Sequence, residues 1–166
     1  MRGREKNGPQ AIGKSRGGWN TKLHMVSSDD RTAVAFALSP GHAHDAPEGR
    51  KLLEGMGKLP DAPAPGGAAP AVVAGTALVM DKAYEDDATR ALARDLGFDP
   101  VVPPKSNRTE PWEYDRELYK RRNEVERLFR RLKGFRRVST RYDKLDRMFL
   151  AFVVFALIVE TLRHVA

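Results

Sequence analysis

The sequence contains no cysteine, which excludes a disulfide framework and any thiolate metal centre, so a metal ion could be held only by oxygen or imidazole. A reducing compartment suits such a chain. Long hydrophobic runs are equally scarce. The longest, residues 148–159, falls short of the ~18 to 20 apolar residues that span a bilayer and is expected to form a buried helix. A basic start followed by an apolar run and a small-residue cleavage site is also missing, so the expectation is a cytoplasmic protein with no membrane partner. Histidines are few. His42 and His44 stand two apart, a spacing that can ligate zinc, but no companion ligand set is apparent and a loop role is expected for them.

What is present points to a folded domain that meets a polyanion. A chain of 166 residues, 41% hydrophobic and 31% charged, can fill one core and is too apolar to be wholly disordered. Its net charge of +7 is unevenly placed. Residues 105–147 hold 15 Lys or Arg against 8 Asp or Glu, whereas residues 1–104 hold 13 of each. A localised cationic stretch is what binding to a phosphate backbone requires, because each neutralised phosphate releases condensed counterions. The plainer alternative is a solvated helix face.

Patterning divides the chain into elements. Residues 1–18, rich in Gly, Arg and Lys, lack apolar periodicity and read as a basic flexible arm. Leu23, Met25, Val34, Phe36 and Leu38 recur at a spacing of two in residues 20–27 and 32–38. The polar break at Ser28, Asp29 and Asp30 makes these runs a hairpin. Asp45 stands where a helix N-cap would, ahead of a helix reaching about residue 59, and the Pro-, Ala- and Gly-rich residues 60–75 read as a surface loop. A strand over 76–80, a helix over 86–96 closed by Gly97 and a strand over 99–102 have the spacing of a parallel crossover unit. Ligands gather beyond the carboxyl ends of strands in such sheets, which is where Asp81 falls. A helix over 114–133, a break at Gly134 and an apolar helix over 145–164 complete an α/β chain.

On a continuous helix with ~100° per residue, Tyr119, Arg122, Glu126 and Lys133 fall within an arc of roughly 60°. Leu118, Val125, Phe129 and Leu132 form an adjacent apolar stripe, which puts the polar four at the border of the buried surface, with Glu126 directed along the sheet edge toward Asp81. Two carboxylates from separate elements suit a magnesium ion that keeps waters for its substrate, and basic side chains nearby suit phosphates. A salt-bridged amphipathic helix, with Arg122 and Glu126 paired at i and i+4, is the structural alternative.

These residues resemble a known family. The Tyr, two residues, Arg, three residues, Glu, six residues, Lys pattern at Tyr119, Arg122, Glu126 and Lys133 is similar to the hallmark of bacterial insertion-sequence transposases of the Asp-Asp-Glu class, in the group of the fourth and fifth insertion-sequence families. The runs GKSRGGWNTKLH (13–24), SPGHAHD (39–45), MDKAY around Asp81, PPKSNR (103–108) and RYDKL (141–145) resemble runs those transposases carry in the same order. The resemblance implies a ribonuclease-H-like mixed sheet with flanking helices over residues 19–166, lacking its first strand. It also implies that Asp81 and Glu126 are the second and third acidic residues, holding Mg2+ or Mn2+ in a completed site. Tyr119, Arg122 and Lys133 would grip DNA. The family's first catalytic Asp lies in an Asp-Ser-Thr or Asp-Gly-Thr motif that this sequence does not contain, and Asp29 and Asp30 are turn residues rather than substitutes.

The expected activity is therefore cleavage and strand transfer at insertion-sequence ends, carried out near the nucleoid by an oligomer. The missing aspartate would leave the chain inactive alone; either an upstream-frame product joined by frameshifting supplies the strand, or the copy is decayed or misannotated. A non-catalytic DNA-binding or regulatory role is the alternative.

Overall fold

The computed structural model describes residues 8–57 and 75–165. The chain divides into two compact units, one formed by Met1–Ala43 with Asn123–Ala166 and the other by His44–Arg122. The end expected near residue 59 for the first helix, and nearly all of the loop over 60–75, lie outside the described residues.

In the first unit, strands β1 (Gly13–Ser15), β2 (Gly18–Ser27) and β3 (Ala33–Pro40) form an antiparallel sheet in the order β1-β2-β3. Residues 13–15, expected within a flexible arm, are thus a strand, paired Gly13 to Asn20 and Ser15 to Gly18. Gly18, at φ +104°, takes the tight reversal that a side chain would resist. The β2–β3 hairpin forms as expected, with Leu23 opposite Leu38 and Met25 opposite Phe36. Asp29 fastens its turn by accepting from the Arg31 and Thr32 amides at 2.7 and 2.8 Å.

The alternating pattern fails at Val34, which is 44% exposed. The register shifts between Val26 and Ser27, leaving Val34 as an extra residue between Ala33 and Ala35. This bulge turns Val34 outward and lets Ala33 face the core instead.

The same unit contains α4 (Asn123–Leu132), the short α5 (Arg136–Ser139) and α6 (Asp146–Val165). Leu128 and Leu132 of α4 form its core with Phe149, Val153, Ala156 and Leu157 of α6. Leu23, Met25, Ala33, Phe36 and Leu38 lie against that cluster from the sheet. Each such large aliphatic side chain contributes about 1.5–3 kcal/mol when removed from water. The expectation of a buried last helix holds for one face only: Phe155 is 60% exposed and Leu162 63%, beside Met148, Val154 and Ile158. Apolar residues run all round α6, so its composition alone does not select the covered face. No helix among the described residues is long and apolar enough to cross a membrane.

The second unit holds α1 (Asp45–Gly57), β4 (Thr76–Val79), α2 (Asp87–Asp95), β5 (Phe98–Val101) and α3 (Arg116–Tyr119). β4 and β5 are parallel neighbours joined through α2, as the crossover pattern requires. Asp86 caps α2 through the Thr89 amide, and Gly97 at φ +86° ends it. Pro100 sits in β5 without breaking a ladder because this strand is an edge. The ring of Tyr84 lies within 2.4 Å of where a Cβ on Gly49 would stand, so only glycine in α1 admits it there.

The single mixed sheet expected from the sequence is not formed among the described residues. They make two sheets, one wholly antiparallel and one wholly parallel, because no described strand bonds to both.

Candidate catalytic carboxylates and basic motif

In the second unit, β4 ends at Val79, and the Met80 amide still donates to the Val101 carbonyl at 3.0 Å. The chain then leaves the sheet, which brings Asp81 just beyond the carboxyl end of a parallel strand, as expected. Asp81 caps a single 3-10 turn, Lys82–Tyr84, its Oδ1 accepting from the Ala83 amide at 2.9 Å. Its Oδ2 receives the Arg122 guanidinium at 3.1 Å, and its side chain is 49% exposed. The backbone contact fixes one carboxylate oxygen; the other faces a cation. Burial, and then the charges of Asp45 and Asp81, push the Tyr84 phenol up to about 12, so Tyr84 stays neutral beside Asp81.

The long helix expected over 114–133 is interrupted. α3 ends at Tyr119, a 3-10 turn spans Lys120–Arg122, and α4 begins at Asn123. Asn123, a weak helix former, stands at the junction, and Arg122 at the end of the 3-10 turn pairs with Asp81. Of the four motif residues, Tyr119 and Arg122 precede α4, and Glu126 and Lys133 come after its start. Tyr119 and Arg122 remain together, the guanidinium 5.8 Å from the ring centroid, and Tyr119 meets Tyr114 edge to face at 5.6 Å.

Glu126 and Lys133 form the other pair, in the first unit. They stand seven residues apart, about two helical turns, and with Phe129 and Arg130 line an open hollow of about 370 Å³. The Lys133 amide donates to the Phe129 carbonyl at 3.0 Å, which carries the helical turn through Lys133. Glu126 is exposed and sits in the first turn of α4, where a carboxylate favours the helix dipole. Asp81 and Glu126 are accessible oxygen donors in a chain without thiols, the donor chemistry of a hard divalent cation. No cluster of three or more metal-ligating side chains occurs among the described residues.

A family model of the transposase DDE domain matches residues 3–159. The chain belongs to this transposase family. It is 28% identical over 144 residues, covering 86% of this chain and 98% of the relative, to the "Putative transposase for insertion sequence element IS6501" of Brucella ovis. No solved structure matches. Membership in the transposase family implies DNA as the partner.

Several residues of this transposase domain perform tasks that reading the sequence did not assign. PPKSNR was singled out as a run, yet Lys105 and Arg108 within it converge on Glu85, which is 4% exposed, at 2.9 and 3.0 Å. Burial raises the Glu85 pKa, but hydrogen bonds from Lys105 and Arg108 outweigh it and hold the carboxyl below its usual range. Arg108 also reaches Asp87 at 3.0 Å. The guanidiniums of Arg90 and Arg108 lie 3.4 and 4.8 Å from the Trp112 ring centroid. In the first unit, Asp30 receives Arg131 at 2.8 Å and Arg127 at 3.3 Å, so part of the basic character of α4 is used to fasten the hairpin turn. Hydrogen bonds from Arg131, the first cause, hold the Asp30 pKa low. His42 and His44 are exposed on the loop before α1. The His42 ring lies 2.2 Å from where a Cβ on Gly13 would stand, so it closes over a glycine. Acidic partners far along the chain have no local signature, which is why these pairs were not legible.

Proposed function

We propose that this member of the transposase family contributes two carboxylates, Asp81 and Glu126, to a centre that cleaves insertion-sequence ends and joins them to target DNA. The observation that carries the reading is the position of Asp81 just past the carboxyl end of β4, paired with the Arg122 of the family motif. A divalent Mg2+ or Mn2+ held by the two carboxylates would neutralise charge on the scissile phosphate and activate the attacking oxygen.

The remaining work falls to this chain's own side chains. The Ala83 amide fixes the orientation of Asp81. Arg122 offsets the Asp81 charge and is placed to transfer its guanidinium to a phosphate, where a planar fork matches two oxygens. Lys133, exposed beside Glu126, offers a second phosphate contact, and Tyr119 supports Arg122 from the side of its ring. The ribonuclease-H-like fold is proposed on the family resemblance, as is cytoplasmic action on chromosomal DNA.

The 166 residues hold no counterpart of the Asp-Ser-Thr or Asp-Gly-Thr motif; in this reading the third carboxylate is supplied by a segment that carries it, such as an upstream-frame product, within an active oligomer. Nicking of element-end DNA with Mg2+ tests this. The chain alone should show little cleavage, and addition of a polypeptide bearing the motif should restore it. Asp81→Asn or Glu126→Gln in the restored system should then lower the rate by roughly a hundredfold or more with DNA affinity retained. Rapid nicking by the chain alone, or full activity of Glu126→Gln, would refute the assignment.

The absent motif favours a second reading, a non-catalytic DNA-binding regulator of an intact transposase. It requires salt-sensitive DNA binding, no restoration by the added polypeptide, and indifference to Glu126→Gln.

A further inference from the structure

A second feature of the first unit involves none of the motif residues. The start of β2 and the segment 141–144 border an open hollow of about 200 Å³ lined by Trp19, Thr21, Arg141, Tyr142 and Lys144, among others. Trp19 is 73% exposed and Tyr142 56%. A single exposed aromatic is ordinary, but two large aromatic side chains on one hollow leave adjacent ring surface open to a ligand.

The hollow is built, not loose. Arg141 lies beneath it with only a tenth of its side chain exposed. Its guanidinium donates to the Asp146 carboxylate at 2.6 Å, to the Thr21 hydroxyl at 2.7 Å and to the Asp143 carbonyl at 2.9 Å. Asp146 in turn accepts from the Ala11 amide at 2.8 Å. These bonds tie residues 11, 21 and 141–146 together, so the two aromatics project from a framework already ordered before any ligand arrives.

Charge decides what that ligand is. Lys14 faces Trp19 across the β1–β2 ladder, and Lys14, Arg16 and Lys144 are all exposed. The Arg136 guanidinium lies 5.9 Å from the Tyr142 ring centroid. Of the two carboxylates of the segment, Asp146 is paired with Arg141, and Asp143, which also lines the hollow, is 17% exposed and meets Arg137 at 3.6 Å. The accessible charge is thus positive, and it alternates with aromatic faces. An apolar protein surface would leave these cations unpaired. Duplex DNA would satisfy them, but its bases are already stacked on one another. An unpaired strand satisfies both, with phosphates for the cations and free base faces for the rings.

We propose that Trp19 and Tyr142 form a stacking platform for an unpaired DNA strand, flanked by Lys14, Arg16 and Lys144 as phosphate contacts. The platform does not depend on the carboxylates or on metal. Its test is fluorescence anisotropy of the full 166-residue chain in EDTA, with a labelled short oligo(dT) strand and with the same strand paired to oligo(dA). Trp19→Ala and Tyr142→Ala should each weaken single-strand binding by roughly tenfold while leaving duplex binding nearly unchanged, and Trp19→Phe should retain most of the affinity. Lys144→Ala should weaken both and flatten the salt dependence.

Because both aromatic side chains are exposed, their removal should leave the far-ultraviolet circular dichroism intact. Absence of single-strand binding, unchanged affinity in both alanine variants, or equal losses for strand and duplex would overturn the proposal. Cleavage plays no part in this measurement, so its failure would leave the assignment of Asp81 and Glu126 standing, and the reverse also holds.

Discussion

At the scale of single residues, Glu85 shows how a charge can be buried and still favour the folded state. Its carboxylate is 4% exposed and receives Lys105 and Arg108, so desolvation is offset by two charge-assisted hydrogen bonds. Its pKa is lowered from the usual 4.5. A depressed folded-state value means that the stabilisation is complete above the unfolded pKa and is lost as pH falls through the folded one. Thermal melts should therefore be flat from neutrality to about pH 5 and then decline. Glu85→Gln should lower stability at pH 7 by about 1–3 kcal/mol and lessen that decline. An unchanged acid profile in the variant would show that other carboxylates, such as Asp30 and Asp86, govern it. Neither Lys105 nor Arg108 stands close to Glu85 in sequence; the usual signals of charge patterning extend only three or four residues.

At the scale of elements, the hairpin and the crossover unit were legible because their signals are local: alternation at Leu23, Met25, Phe36 and Leu38, capping at Asp86, and Gly97 at the helix end. The elements that escaped were set by contacts or by single insertions. The helix expected over 114–133 tightens to a 3-10 turn at Lys120–Arg122, where Arg122 pairs with Asp81, and a one-residue bulge reverses the roles of Ala33 and Val34. α6 gives this scale its measurement. Leu128 of α4 is fully buried against α6, whereas Phe155 on the other face of α6 is 60% exposed. Leu128→Ala should cost about 2–5 kcal/mol in denaturant unfolding. Phe155→Ala should cost less than about 1 kcal/mol if the exposed face stays uncovered in solution. Comparable losses would mean that this face is buried against something in the native protein.

At the scale of the whole molecule, the surplus of cations between residues 105 and 147 is spent unevenly. Arg108, Arg127, Arg131 and Arg141 are engaged by carboxylates or carbonyls of the chain itself. Lys133 and Lys144 are among the exposed cations of the stretch. DNA affinity should fall linearly with the logarithm of salt concentration, with a slope near −0.9 for each phosphate neutralised. The number of contacts so obtained should be well below the count of basic residues in the segment. A slope that demanded all fifteen would show that the internal ion pairs open on binding.

The amino-acid sequence by itself determined the family and the α/β class and nominated Asp81 and Glu126 as the acidic pair of the proposed site, because motif spacing, periodicity and composition are properties of neighbours along the chain. Tertiary structure alone decided which cations the chain engages in ion pairs, which face of α6 is covered, where the motif helix tightens to a 3-10 turn and that Trp19 and Tyr142 share one hollow. Each of those outcomes depends on groups separated by tens of residues, whose meeting is fixed by the packing of a core and not by any pattern either group carries.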